Sequence, residues 1–208
     1  MKRAPVTAHS RRLRALAAAA PAAVVVQLVA APAALAAFAF GTSPKLPTLP
    51  SVAINGKAQK LGATMANFSV TDTRGTKSGW NVTVEGQTGA GKSAVFAQYC
   101  PKAKCGTDGE GYVAGGRTLP AGSLKLNSTG AKFSGGTGST PSLSCSTGCA
   151  VDSASAVKIA SASTSEFTWT TTGFGSESLL LSVPTTLRAL PAEEVYRVNV
   201  LWTLSTGP

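Results

Sequence analysis

The side chains that could support catalysis are few and poorly placed. The chain has one histidine, His9, near its N-terminus, so a histidine-dependent nucleophile or metal site would rest on that residue alone. Glu193 and Glu194 are adjacent, and neighbouring residues of a strand point to opposite faces. We therefore expect these carboxylates, and those of Asp108 and Glu110, to be solvated loop charges. The sequence predicts no catalytic residue, no cofactor and no metal site, and a protein that is not an enzyme.

Residues 86–93 read GQTGAGKS and match the phosphate-binding pattern G-x-x-x-x-G-K-S. In nucleotide-binding proteins a helix follows this pattern directly, and its N-terminal amides face the phosphates. Here only residues 94–99 precede Cys100 and Pro101, which leaves too little chain for such a helix. We therefore predict a glycine-rich connection between two strands, and no nucleotide ligand.

Four cysteines occur as two closely spaced pairs. Cys100 and Cys105 enclose four residues, and Cys145 and Cys149 enclose three. Local disulfides within each pair are the simplest of the three possible connectivities, and a zinc site with four thiolate ligands is the rival interpretation. The choice between them depends on the compartment in which the protein works, because disulfides persist where the environment is oxidising.

The N-terminus has the pattern of a secretory signal peptide. Basic residues come first, an apolar run follows from Ala15 to Ala37, and Ala34-Leu35-Ala36 gives a small-x-small cleavage site. We predict a signal over residues 1–36, cleaved after Ala36, and the alternative is an uncleaved membrane anchor. No second apolar run of membrane length follows, so no membrane span is expected after cleavage. Export favours disulfides over zinc.

Half of the formal net charge of +10 belongs to this signal. Five of the 19 basic residues lie within it and all nine acidic residues lie beyond it, which leaves +5. No lysine- or arginine-rich run remains, so nucleic-acid binding is not expected. Charged residues make up 13% of the chain, against about 25% in ordinary domains. Shape and aromatic surface must therefore carry any specificity.

Apolar and polar residues alternate with period two along most of the remaining chain, which is typical of half-buried strands. The alternation places Phe167 and Trp169 on one inward face. It also predicts one continuous strand over residues 196–204, in which Leu201 interrupts the polar face and suggests cover on both sides. No stretch of ten residues beyond the signal has a helical period. The pattern predicts an all-β fold, an antiparallel β-sandwich.

The domain boundaries follow from composition. Residues 37–50 contain three prolines and are expected to form a short extended lead-in. Residues 51–208 are expected to form one β-sandwich domain with Ser/Gly-rich loops. Within it, residues 128–165 should be long loops around one short strand near residues 157–159.

Two of the predicted strand segments resemble the signatures of the WxL domain family. Residues 70–84 read VTDTRGTKSGWNVTV, with a turn of the D-x-R-G-T type, and residues 196–208 read YRVNVLWTLSTGP. Residues 169–184 are similar to the family's penultimate strand, which ends in L-x-V-P, so the resemblance covers roughly residues 47–208. The motif residues are Asp72, Arg74, Gly75, Trp80, Asn81, Val82, Trp202, Thr203 and Leu204.

This resemblance implies a secreted bacterial protein that holds non-covalently to the cell wall, through peptidoglycan or another wall polymer. An alternative is a structural or adhesive surface protein whose partner is another surface protein. Two roles stay open for Trp80 and Trp202. Because they lie on apolar faces they could fill the core, or they could be wall-binding residues that stack on sugars.

Overall fold

The computed structural model describes residues 37–207. The predicted signal peptide, residues 1–36, and His9 lie outside the described residues. Within the described range the chain forms fifteen strands and no helix, and every strand pairing is antiparallel. The prediction of an all-β antiparallel fold is confirmed. No helix in this range is long and apolar enough to cross a membrane.

The strands are short and follow one another through the whole described range. In chain order they are β1 (Phe38–Thr42), β2 (Gln59–Ala63), β3 (Ser69–Asp72), β4 (Trp80–Gly86), β5 (Ala97–Cys105), β6 (Asp108–Tyr112), β7 (Leu124–Leu126), β8 (Lys132–Gly138), β9 (Ser142–Leu143), β10 (Cys149–Ala150), β11 (Val157–Ala162), β12 (Ser165–Thr172), β13 (Leu179–Val183), β14 (Val195–Arg197) and β15 (Val200–Thr206).

These strands form four sheets that draw on distant parts of the chain. Sheet A has the order β1-β3-β12-β8, sheet B β10-β7-β13-β2, sheet C β15-β4-β11-β9, and sheet D β14-β5-β6. Most neighbours within a sheet are far apart in sequence, so the sheets interleave. The fold is therefore rich in non-local pairings, which is typical of all-β sandwiches.

Side chains from sheets A, B and C share one buried core. Trp80, Val82 and Val84 of β4 are fully buried, as the alternation of β4 predicts. Phe133 of β8 packs edge-on against Phe68 and Trp80, with ring centroids 5.8 and 5.6 Å apart. Aromatic rings favour this geometry because the positive edge of one ring faces the negative face of the other.

The period-two prediction is wrong at Phe167. The pairing of β12 with β8 shifts register between Glu166 and Trp169, and Phe167 has a positive φ of 62°. A β-bulge places an extra residue in one strand and re-aims side chains. Trp169 is accordingly 5% exposed, whereas Phe167 is 56% exposed.

The segment 128–165 contains more strand than its composition predicts. β8, β9, β10 and β11 all lie within it, so the expectation of one short strand is wrong. β8 reads KFSGGTG, and its glycines are needed for close approach, because a Cβ at Gly136 would overlap the indole of Trp169. The composition suggested a loop where the packing requires a glycine-rich strand.

The C-terminal segment is two strands instead of one. β14 belongs to sheet D and β15 to sheet C. Between them, the backbone of Asn199 binds both ends of the loop formed by residues 87–93. Its N–H donates to the Ser93 carbonyl at 2.9 Å, and its carbonyl accepts the Gln87 N–H at 2.8 Å. Leu201 is 38% exposed, so β15 is not covered on both sides.

Candidate functional site

The tryptophan-containing strands of the two signature segments, β4 and β15, lie side by side in sheet C. β15 pairs with β4 along its whole length, with Trp202 opposite Val84 and Leu204 opposite Val82. Asn81 donates its side-chain amide N–H to the carbonyl of Gly207. The two motifs, separated by most of the chain, therefore form one two-stranded unit.

The motif residues of this unit differ sharply in accessibility. Trp80 and Val82 are fully buried, and Asn81 is 8% exposed. Trp202 and Leu204 are partly buried against the same core, and Thr203 is exposed. A wall polymer cannot reach Trp80 in the folded domain, so the geometry supports the core role for that residue.

The D-x-R-G-T turn is built on an ion pair between a buried carboxylate and a partly exposed guanidinium. The Arg74 Nε and Nη2 atoms donate to the two carboxylate oxygens of Asp72 at 2.9 and 2.7 Å, and the Arg74 N–H adds a bond at 3.1 Å. Asp72 is 1% exposed. The hydrogen bonds from the Arg74 side chain hold the pKa of the Asp72 carboxyl below its ordinary value, although burial acts in the opposite direction. Gly75 supplies the positive φ of 70° that the turn needs.

The same turn anchors the predicted lead-in. The Arg74 guanidinium carbon lies 3.8 Å from the ring centroid of Phe38, a cation–π geometry. Thr73 donates its N–H to the Ala37 carbonyl at 2.8 Å, and its Oγ1 accepts the Ala37 N–H at 2.7 Å. The start of the segment 37–50 is therefore extended and forms β1, an edge strand of sheet A.

Comparison with known proteins agrees with this pairing of motifs. The family model described as "WxL domain surface cell wall-binding" matches residues 35–208. The chain belongs to the WxL domain family. No curated protein and no solved structure matches it. The match includes both signature segments and every described strand, so this is a cell-wall-binding domain of the cell surface.

The cysteines of this WxL domain form two local disulfides. Cys100 is bonded to Cys105 and Cys145 to Cys149, with Cα atoms 5.7 and 5.3 Å apart. The sulfur atoms that a zinc site would use are therefore already bonded. In the described range no group of three or more His, Cys, Asp or Glu side chains is placed to hold a metal.

The segment that matches the phosphate-binding pattern connects two strands of the WxL domain. β4 ends at Gly86 and β5 begins at Ala97. Between them, Lys92 donates its N–H to the Gly89 carbonyl at 3.1 Å and forms a turn. A strand follows where a phosphate-binding loop requires a helix.

The four carboxylates considered as catalytic candidates lie in different environments. Glu193 is exposed and binds Lys102 at 2.7 Å. Glu194 is 9% exposed, accepts a hydrogen bond from the Gln98 side chain and has an unpartnered Oε1, so the expectation that it is a solvated loop charge is wrong. Its N–H donates to the Pro191 carbonyl at 3.3 Å in a turn. Asp108 and Glu110 lie on the strand β6, so the expectation that they lie in a loop is wrong as well.

Proposed function

We propose that this WxL domain is exported and binds peptidoglycan non-covalently at the cell surface, without catalysing a reaction. The observation that carries the proposal is the match of residues 35–208 to a surface, cell-wall-binding family. The signal-like N-terminus supports export, and the local disulfides fit an oxidising compartment.

The arrangement of the motif residues limits where the polymer would bind. Trp80 and Val82 hold β4 in the core, so the polymer would contact exposed faces that this scaffold supports. The charge of +5 beyond the predicted signal is small, and salt screens exposed charges beyond about 8 Å under physiological conditions. We therefore expect wall binding to persist at moderate salt.

Co-sedimentation tests the proposal directly. A polypeptide of residues 37–208 is mixed with insoluble peptidoglycan from which the anionic wall polymers have been stripped, at physiological salt, and then centrifuged. We expect the polypeptide in the pellet, and no release of soluble muropeptides. Folded polypeptide that stays in the supernatant would contradict peptidoglycan binding, and release of muropeptides would contradict a non-catalytic role.

A second candidate function is the binding of another surface protein. β15 lies at one end of the strand order of sheet C, and no other strand of the described range pairs with its outer edge. Such an edge presents free N–H and C=O groups to which a partner strand can add. A photoreactive side chain placed at exposed Leu201 distinguishes the two candidates on whole cells: a cross-link to protein favours this candidate, and its absence favours wall binding alone.

A further inference from the structure

The outer face of sheet A carries an array of hydroxyl groups, interrupted on β1 by Ala39, which lies opposite Thr71. Trp169 of β12 and Val70 of β3 point into the core. The residues that alternate with them along each strand therefore point outward. Cross-strand pairing aligns the outward residues into rows over the four strands. We call this surface the hydroxyl face; it consists of Thr42, Ser69, Thr71, Ser134, Thr168 and Thr170.

Hydrogen bonds between strands order this face. One row pairs Ser134 with Thr170, and Thr170 with Ser69. In the next row the Oγ1 atoms of Thr71 and Thr168 lie 2.9 Å apart. Ser69 is buried by its neighbours, and the other five members are exposed or partly exposed. With strands about 4.8 Å apart, the face is about 14 Å wide, enough for a short stretch of polysaccharide.

The charges near this face nearly cancel. Lys77 and Glu166 form a pair at 4.0 Å beside it, and Lys132, which is in register with Thr172 and two residues from Ser134, adds a single positive charge at one end. A polymer that carries a phosphate on each unit would need a cluster of cationic side chains. The face instead suits an uncharged polymer whose own hydroxyl and amide groups exchange hydrogen bonds with threonine and serine.

Phe167 adds an exposed aromatic ring at the bulge that ends the hydroxyl face, where Phe167 and Thr168 together oppose the single residue Gly136 of β8. It is 56% exposed, and its φ of 62° is unusual for a bulky residue. The bulge between β12 and β8 accounts for the backbone conformation, but the exposed side chain gains little from packing, so burial does not explain why a bulky aromatic residue occupies this position. Strain of this kind is found at binding sites, where the surrounding structure maintains it.

From this combination we infer that the hydroxyl face and Phe167 bind the glycan strand of the wall polymer. The ring of Phe167 stacks on the apolar face of a sugar, and the hydroxyl face binds its polar groups. The inference rests on the proposed peptidoglycan binding and narrows it to the uncharged polysaccharide, as opposed to the peptide stems or the anionic polymers.

The substitution Phe167→Gly gives the sharpest test, because glycine adopts a positive φ without strain. The probe is a preparation of glycan strands freed of peptide stems, with polyglycerol phosphate as the anionic comparison. For Phe167→Gly we expect about tenfold weaker glycan binding, in line with the loss of one aromatic contact, and an urea midpoint at or near the wild-type value. Phe167→Tyr keeps the ring and should bind as the wild type does.

Two further variants separate the face from general effects. Thr168→Val removes a hydroxyl at nearly constant shape and should also weaken glycan binding severalfold. Leu201→Ala removes an exposed apolar side chain from sheet C and should leave it unchanged.

The possible results distinguish this inference from the proposed function. The inference is wrong if the wild-type polypeptide binds whole peptidoglycan but not the stem-free glycan, or if it binds polyglycerol phosphate more tightly than the stem-free glycan. In either case the proposed peptidoglycan binding is decided by the co-sedimentation test alone. A folded Phe167→Gly variant with wild-type affinity would also overturn it. If nothing in the wall binds the wild type, both proposals fail.

Discussion

The carboxylate of Asp152 is buried with no cationic side chain within ion-pair distance in the described range. Its Oδ1 accepts the Leu124 N–H at 3.0 Å, and its Oδ2 has no partner. Burial raises the pKa of this carboxyl from 3.8 to about 6, and hydrogen bonds from the backbone, chiefly the Leu124 N–H, oppose the rise only partly. The charged form of Asp152 is therefore destabilising.

The sign of the effect on stability follows from the two pKa values. Between about pH 4 and pH 6 the unfolded chain has released this proton and the folded chain still holds it, so the contribution of Asp152 to stability falls as the pH rises. Above pH 6 the loss is complete. At about 1.4 kcal/mol for each pKa unit, the loss at neutral pH is about 3 kcal/mol.

The substitution Asp152→Asn tests this value, because it removes the charge and keeps an oxygen for the Leu124 N–H. The new amide N–H groups add a cost that does not depend on pH, so the measured quantity is the change in the stability difference between variant and wild type. From pH 4 to pH 7.5 we expect this difference to move by about 2.5 kcal/mol in favour of the variant, slightly less than the full loss because at pH 4 the unfolded carboxyl is still partly protonated. Urea unfolding of residues 37–208, followed by tryptophan fluorescence with the disulfides intact, provides the values.

Asp72 and the other titrating groups are present in both proteins, so they cancel in this comparison. A stability difference that stays constant between the two pH values would refute the reasoning, since it would mean that Asp152 is as well solvated in the folded chain as in the unfolded one. A shift in favour of the wild type would refute it more strongly.

Three other perturbations should separate the roles of the turn, the core and the disulfides. Arg74→Ala leaves the buried Asp72 carboxylate unpaired and should lower the free energy of unfolding by about 3 kcal/mol at pH 7. Because pairing lowers the pKa of Asp72, this loss should shrink as urea-unfolding measurements move below pH 4. A loss that does not depend on pH would argue against the ion pair. Trp80→Ala should lower the free energy of unfolding by about 3–5 kcal/mol, because it opens a cavity, and Trp202→Ala should lower it clearly less. Thermal melts followed by circular dichroism measure both losses, and equal losses would contradict the different burial of the two side chains. Reduction of the disulfides should cost about 2 kcal/mol for each short loop, read as a lower urea midpoint, and an unchanged midpoint would show that the loops are held by packing alone.

Local pattern was enough to predict the strands whose residues face one core. Along β4 the alternation of Trp80, Val82 and Val84 with polar residues matches the observed burial, because period two needs no information from the rest of the fold. The close cysteine spacing likewise pointed to the two disulfides, since a short loop already holds its ends near each other.

Features that depend on a distant neighbour could not be predicted in this way. The bulge that exposes Phe167 lies in the pairing of β12 with β8, and the glycine at position 136 of β8 is needed because the indole of Trp169 packs against it. Glu194 is buried by contact with Gln98, which nothing in its own segment indicates. The pairing of the two signatures in sheet C is also long-range, and only the family resemblance hinted that both belong to one domain.

The position of β15 beside β4 has a consequence for export. A chain that crosses a membrane unfolded, N-terminus first, brings β4 out early and β15 last. Sheet C is incomplete until Thr206 has crossed, because β15 supplies the strand that pairs with Trp80 and its neighbours. Because Trp202 and Leu204 of β15 pack against the core, the translocation proposed above would be nearly finished before the core is complete.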